Sequence, residues 1–154
     1  MDYGKELCAS LRLLTFASGN TKVRVRFGES LTECCSELGG KQNATNDHAI
    51  RDCEVELPDY SDRTLSQTGF RFVRIDFQGD VRLKGVVADS VILRKKAKYA
   101  YHGRDERISQ IFETAKRTVD LCASSGYVWD GIKRDRLVWI GDMHPETMAL
   151  TTLY

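Results

Sequence analysis

The chain has 154 residues, 42% of them hydrophobic, so it is long enough to bury the core of about one domain. Its 23 Lys and Arg residues balance 22 Asp and Glu residues, so no global field would draw it to nucleic acid or to an acidic membrane surface. No apolar run reaches the roughly 20 residues that a membrane-spanning helix needs, and residues 1–20 lack the pattern of a signal peptide.

The cysteine and histidine spacings do not indicate a metal site. The chain has 5 cysteines and 3 histidines; Cys34 and Cys35 are adjacent, and no Cys-x-x-Cys pair occurs. Zinc sites and disulfide frameworks need regular spacings that this sequence lacks. We therefore predict no metal and no cofactor, and we expect reduced, structural thiols.

Residues 1–101 have the patterns of β-structure. Val23, Val25 and Phe27 alternate with Lys and Arg, which is the period of a half-buried strand. Strands are predicted over 22–27, 52–57, 70–77, 81–88 and 90–93, with the aromatic residues of 70–77 in the core. The polar segment 32–51 is predicted to be a long loop. Short strands separated by turns favour a β-sandwich over 1–101.

The pattern then changes to helical spacing. Apolar residues recur on one face of a predicted helix over 104–125, and Asp105 stands in its first turn, where a carboxylate suits the helix dipole. The residues of that face are Ile108, Ile111, Phe112, Ala115, Val119 and Cys122. A second helix is predicted to begin around His144, with Pro145 in its first turn.

One amphipathic helix and the start of another do not close a helical domain. We therefore predict a β-sandwich domain over 1–101, followed by the truncated start of an α domain over 102–154, and we expect the chain to be a fragment. The apolar face of 104–125 would then lie exposed, which predicts self-association.

The segment 129–142 is the most informative part of the sequence for function. It contains the three aspartates Asp130, Asp135 and Asp142 together with two tryptophans. Carboxylates bind hydroxyl groups or protonate a leaving oxygen, and indole rings cover the apolar face of a pyranose. This combination favours a site that holds and cleaves a sugar. The other interpretation is that the aspartates are loop acids paired with neighbouring Lys and Arg residues.

Three stretches of the chain resemble bacterial α-L-rhamnosidases of glycoside hydrolase family 78. They are 69–75, 101–103 and 130–142, the last with the pattern Asp-x4-Asp-x3-Trp-x2-Asp. The resemblance extends over most of the chain, from about Lys22 to Tyr154. It implies a β-sandwich that precedes an (α/α)6 barrel of six helical hairpins, with the acidic segment between the first two barrel helices.

The resemblance also implies roles for single residues. Asp135 would be the general acid that protonates the glycosidic oxygen. Asp130 and Asp142 would bind rhamnose hydroxyls, and Arg134 and Trp139 would line the same subsite. The acid of the family is typically Glu, so Asp135 is one methylene shorter. The family inverts configuration and takes its base from a later barrel helix, so the chain would carry the acid and lack the base.

A general acid must hold its proton near neutral pH. Neighbouring carboxylates and partial burial beside Trp139 would raise the pKa of Asp135. Arg134 and Arg136 would lower it. The balance depends on where the two guanidinium groups point, which the sequence does not determine.

The predicted function is the inverting removal of terminal α-L-rhamnosyl residues or of a similar 6-deoxy sugar. The predicted partner is a rhamnose-containing oligosaccharide or glycoside, with no nucleic acid and no membrane. The alternative is a non-catalytic carbohydrate-binding module formed by the β-sandwich, whose affinity would not depend on Asp135. A third hypothesis is a structural or interaction role, in which the apolar helix face docks on a partner or on another copy of the chain.

Overall fold

The computed structural model describes residues 1–16, 19–37, 51–93, 95–123, 126–133 and 136–154. These residues form a mostly β structure with three helices. They divide into two compact units, Met1–Ser90 and Val91–Tyr154, which we call the β unit and the α unit. The predicted domains, 1–101 and 102–154, stay a prediction.

The described part of the β unit is a six-stranded antiparallel sheet with one short helix. Its elements are β1 (Asp2–Thr15), β2 (Thr21–Gly28), α1 (Leu31–Cys35), β3 (Asp52–Leu57), β4 (Asp62–Thr64), β5 (Thr68–Phe77) and β6 (Leu83–Ser90). β1 pairs with β5 and β4 along one edge and with β6 along the other, and β2 lies between β5 and β3. The sheet curls into a half-barrel, which is compatible with the predicted sandwich-like domain.

The core of the β unit follows the period of its strands. Ala9, Leu11 and Leu13 of β1 are fully buried, as every second residue of a strand is when one face is covered. The rings of Phe27 in β2 and Phe70 in β5 meet here, with centroids 5.1 Å apart. Neighbouring strands thus bring their apolar residues to one face.

Most of the predicted strands are confirmed. The predictions at 22–27, 52–57 and 70–77 correspond to β2, β3 and β5. The last two predicted strands are replaced by the single strand β6, and 91–93 is not a strand. β1 was not predicted as a strand, although the alternation of apolar and polar residues over 9–13 indicates one.

Helix α1 corrects the loop predicted over 32–51. Ser30 caps it, since its Oγ accepts a hydrogen bond from the Glu33 N–H at 3.1 Å. The Glu33 carboxylate in turn accepts one from the Glu29 N–H at 2.9 Å. Ser-x-x-Glu is a capping-box pattern, so the sequence does contain a signal for this helix. Residues 38–50 of the predicted loop lie outside the described residues.

Arginines of β2 pair with carboxylates on neighbouring strands. Arg24 binds both oxygens of Asp52, at 2.9 and 2.6 Å, and Arg26 binds Asp76 at 2.7 Å. Arg26 is only 2% exposed, although the alternation of β2 predicts it on the solvent side. The hydrogen bonds from Arg24 hold the pKa of Asp52 below its usual range.

The α unit contains α2 (Glu106–Cys122) and α3 (Met143–Leu153), which confirms both predicted helices with slightly shifted ends. Asp105 caps α2, because its Oδ1 accepts a hydrogen bond from the Arg107 N–H at 2.9 Å. None of the helices in the described ranges is long and apolar enough to cross a membrane.

The apolar face of α2 is covered in part. The rings of Tyr99 and Tyr101 pack on Phe112, with centroids 5.8 and 6.0 Å away. Ile108 and Ile111 on the same helix stay exposed, at 46% and 67%. The predicted exposure of this face therefore holds for Ile108, Ile111 and Ala115 and not for Phe112.

Replacing Phe70 by Ala should destabilise the chain by about 3–5 kcal/mol, the usual cost of removing a fully buried ring. Phe77→Ala is the matched control on the same strand. The sequence predicts Phe77 in the core, but 49% of its surface is exposed. Urea denaturation measures both variants, and we expect a clearly smaller loss for Phe77→Ala. Equal losses would contradict this assignment of the core.

The pairing of Asp52 with Arg24 should make the free energy of unfolding depend on pH in the acidic range. Because the folded-state pKa of Asp52 is lowered, the pair stabilises the fold above the unfolded-state pKa. That contribution is lost as the pH falls below about 4 and through the folded-state pKa. Asp52→Asn should therefore weaken the pH dependence of the free energy of unfolding in this range. Glu56→Gln is the control, since its pair with Lys22 is exposed; identical pH profiles of Asp52→Asn and the unsubstituted chain would disprove the expectation.

Candidate functional site

Between α2 and α3, the described residues 126–133 and 136–142 form neither helix nor strand but are held by specific contacts. The Trp129 N–H donates to the Cys122 carbonyl at 3.1 Å, at the C-terminal end of α2. Ile132 is buried, with 6% of its surface exposed. A backbone hydrogen bond and an apolar side chain thus hold the start of the segment.

Asp130 organises this segment through hydrogen bonds. Its backbone N–H donates to the Leu137 carbonyl at 3.1 Å, and its Oδ1 accepts the Leu137 N–H at 3.0 Å. Its Oδ2 accepts the indole Nε1–H of Trp139 at 2.9 Å. A carboxylate can accept about four hydrogen bonds. The exposed Asp130 therefore keeps the capacity to bind hydroxyl groups of a ligand.

Trp139 presents its ring beside this carboxylate. The side chain is 52% exposed while its N–H is held by Asp130. The neighbouring Leu137, Val138 and Ile140 are exposed as well. A sugar has hydroxyl groups on its edge and C–H groups on its face, so an oriented ring next to a carboxylate suits both.

Asp142 and Glu146 add negative charge at the start of α3. Asp142 stands at the N-cap position, but its side chain makes no capping hydrogen bond, while its N–H donates to the Trp139 carbonyl at 3.1 Å. Burial raises the pKa of Glu146, and the charges of Asp142 and Asp130 raise it further. We call Asp130, Asp142 and Glu146 the acidic cluster.

Sequence reasoning gave Glu146 no role in the site. The signal that could have found it is its spacing of four residues from Asp142, because residues i and i+4 lie on one face of a helix. The structure brings Asp130 and Trp139 together, and it connects Asp142 to Trp139 through the backbone.

The cations of the segment do not neutralise the aspartates in the described ranges. The Arg136 guanidinium lies over the ring of Trp129, with its Cζ 5.7 Å from the ring centroid. Neither Asp130 nor Asp142 forms an ion pair with a described cation. The interpretation as ion-paired loop acids is therefore weakened for both residues.

Two of the predicted site residues, Arg134 and Asp135, lie outside the described residues. Their roles in lining the subsite and in protonating the leaving oxygen stay predictions.

Comparison with known proteins gives a structural match. No family model and no curated protein matches the chain. A solved structure, a rhamnosidase from Klebsiella oxytoca with rhamnose bound, matches 99% of this chain with a TM-score of 0.87 and 19% sequence identity. At this identity the match establishes the fold alone. The chain spans 32% of the length of that rhamnosidase.

The Glu146 carboxyl should titrate above the usual range of Glu, because burial and the nearby aspartates favour its neutral form. Asp142→Asn removes one of these charges and should move the titration to lower pH. Carbon-13 NMR of the side-chain carboxyl groups over a pH series measures the shift. Glu113→Gln, exposed on α2, is the control and should leave it in place. If Asp142→Asn leaves the titration of Glu146 unchanged, Asp142 and Glu146 do not form the acidic cluster.

Proposed function

We propose that this chain provides the sugar-binding and acid part of an inverting glycoside hydrolase that removes terminal α-L-rhamnosyl residues or a similar 6-deoxy sugar. The observation that carries the proposal is the Asp130–Trp139 pair, in which a 2.9 Å hydrogen bond fixes an exposed carboxylate beside an exposed indole ring. The fold shared with the Klebsiella oxytoca rhamnosidase, which was solved with rhamnose bound, supports it.

In this proposal the described residues bind the sugar. Asp130 accepts hydrogen bonds from sugar hydroxyls through the lone pairs that Leu137 and Trp139 leave free. The ring of Trp139 covers the C–H face of the sugar. Asp142, whose carboxylate is not used to cap α3, binds a further hydroxyl.

The proposed reaction depends on Asp135. This residue protonates the glycosidic oxygen, and Arg134 lines the same subsite. Nearby negative charge raises the pKa of a carboxyl group, so a position close to the acidic cluster would help Asp135 keep its proton. An inverting reaction also needs a carboxylate base about 6.5–9.5 Å from the acid, and we assign that role to no residue of this chain.

We further propose that the chain belongs to glycoside hydrolase family 78 and that α2 and α3 are the first two helices of an (α/α)6 barrel. The pattern of Asp130, Asp135, Trp139 and Asp142 and the match to one third of a rhamnosidase support this assignment. Self-association through the exposed Ile108 and Ile111 stays a prediction.

Rhamnose binding tests the proposal directly. The chain has two tryptophans, so the nitrogen-15 spectrum of the labelled chain contains two indole N–H signals. We expect L-rhamnose to shift the Trp139 signal. Asp130→Asn should weaken binding by about tenfold or more, because a hydrogen bond to a charged group is lost. Glu113→Gln should bind like the unsubstituted chain.

The control sugar is L-mannose, which differs from L-rhamnose only by a hydroxyl group at C6. Weaker binding of L-mannose would support a 6-deoxy sugar as the ligand. If rhamnose shifts only signals of the β unit, and Asp130→Asn does not change these shifts, the sandwich is instead the binding module. No shift at any rhamnose concentration would refute the proposed site.

A further inference from the structure

Arg136 has a backbone conformation that is unfavourable for its residue type. Its φ is 51°, in the left-handed region where a Cβ approaches the following carbonyl oxygen. A residue stays in this region only where its surroundings fix it. Contacts with neighbouring residues must therefore stabilise this conformation of Arg136.

The contact that can do this is with Trp129. The Arg136 Cζ lies 5.7 Å from the centroid of the Trp129 ring, within the roughly 6 Å of a cation–π contact. Trp129 is partly buried, and its backbone N–H donates to the Cys122 carbonyl at 3.1 Å. Trp129 thus connects Arg136 to the end of α2 through its ring on one side and its backbone on the other.

The residues that directly follow Trp129 and Arg136 in the chain also contact each other. Trp129 contacts Arg136, and the next residue, Asp130, bonds to the residue after Arg136, which is Leu137. Asp130 also holds the indole N–H of Trp139. Because Leu137 follows Arg136 directly, the position of Arg136 determines whether the Leu137 N–H can reach the Asp130 carboxylate.

We propose that Arg136 is a positioning residue that, through its contact with Trp129, keeps the Asp130 carboxylate and the Trp139 indole in one arrangement. Its role in sugar binding rests on the function proposed above. Directed at the Trp129 ring, the guanidinium forms no ion pair with Asp130, which leaves the carboxylate available for hydroxyl groups.

The first test needs no sugar. Arg136→Gln removes the cation and keeps a polar side chain of similar length. The Trp139 indole N–H should then exchange with solvent about two- to fivefold faster, the change that corresponds to losing an exposed cation–π contact. Arg107→Gln, on the exposed surface of α2, is the matched control and should leave the rate unchanged. An unchanged rate in Arg136→Gln would overturn the proposal.

Arg136→Gly separates the ring contact from the backbone. Glycine adopts a positive φ without a steric penalty, so this variant keeps the conformation available and removes the guanidinium. Faster exchange is expected here too, with partial recovery in Arg136→Lys. A Gly variant that exchanges like the unsubstituted chain would show that the backbone alone positions Leu137, and the proposal would fail.

Trp129→Phe approaches the same contact from the other side, in case the Arg136 variants do not fold. Its ring binds a cation less strongly than indole, and Trp139 is then the only indole present. Exchange at Trp139 should again be faster. A rate equal to that of the unsubstituted chain would count against the proposal.

Titration with L-rhamnose distinguishes this proposal from the proposed function. If the unsubstituted chain does not bind rhamnose, the proposed function fails, and the exchange measurements still decide whether Arg136 positions Asp130 and Trp139. If it binds, Arg136→Gln should raise the Kd about two- to fivefold. An unchanged Kd in a variant with faster exchange would remove Arg136 from the sugar site.

Discussion

Strand β1 pairs with three other strands, and the arrangement of the β unit depends on this pairing. Among the described strands, β4 and β6 have β1 as their partner, and β5 connects β1 to β2 and β3. Its register is fixed by burial, because a slip of one residue would turn Ala9, Leu11 and Leu13 away from the core. The apolar face of this strand therefore determines which side of the sheet is covered.

Asp130 is held differently from the ion-paired aspartates of both units, which include Asp120 beside Lys116 in the α unit. In the β unit, Asp52 and Asp76 are bonded to arginines, so their charges are neutralised locally. In the described part of the α unit, Asp130 is held by two neutral donors, a backbone N–H and an indole N–H. A carboxylate held by neutral donors keeps its net charge and its orientation, and both favour binding of hydroxyl groups.

The sequence predicts most elements because their patterns are local. Alternation identifies β2 and β3, a dense run of aromatic and β-branched residues identifies β5, and helical spacing identifies α2 and α3. The sequence does not reveal that Arg26 is buried, because this burial depends on the Glu37 and Asp76 carboxylates, which only the fold brings near. In the site, spacing singles out Asp130 and Trp139, but their hydrogen bond and the direction of the Arg136 guanidinium toward Trp129 are seen only in the three-dimensional structure.

The hydrogen bonds of Asp130 depend on few side chains. Leu137 contributes its backbone N–H and carbonyl, so the arrangement sets no requirement on the side chain at that position. Position 130 needs a short carboxylate that reaches both donors, and position 139 needs a ring with an N–H. The bonds thus fix the side chain at two positions and only the backbone at the third.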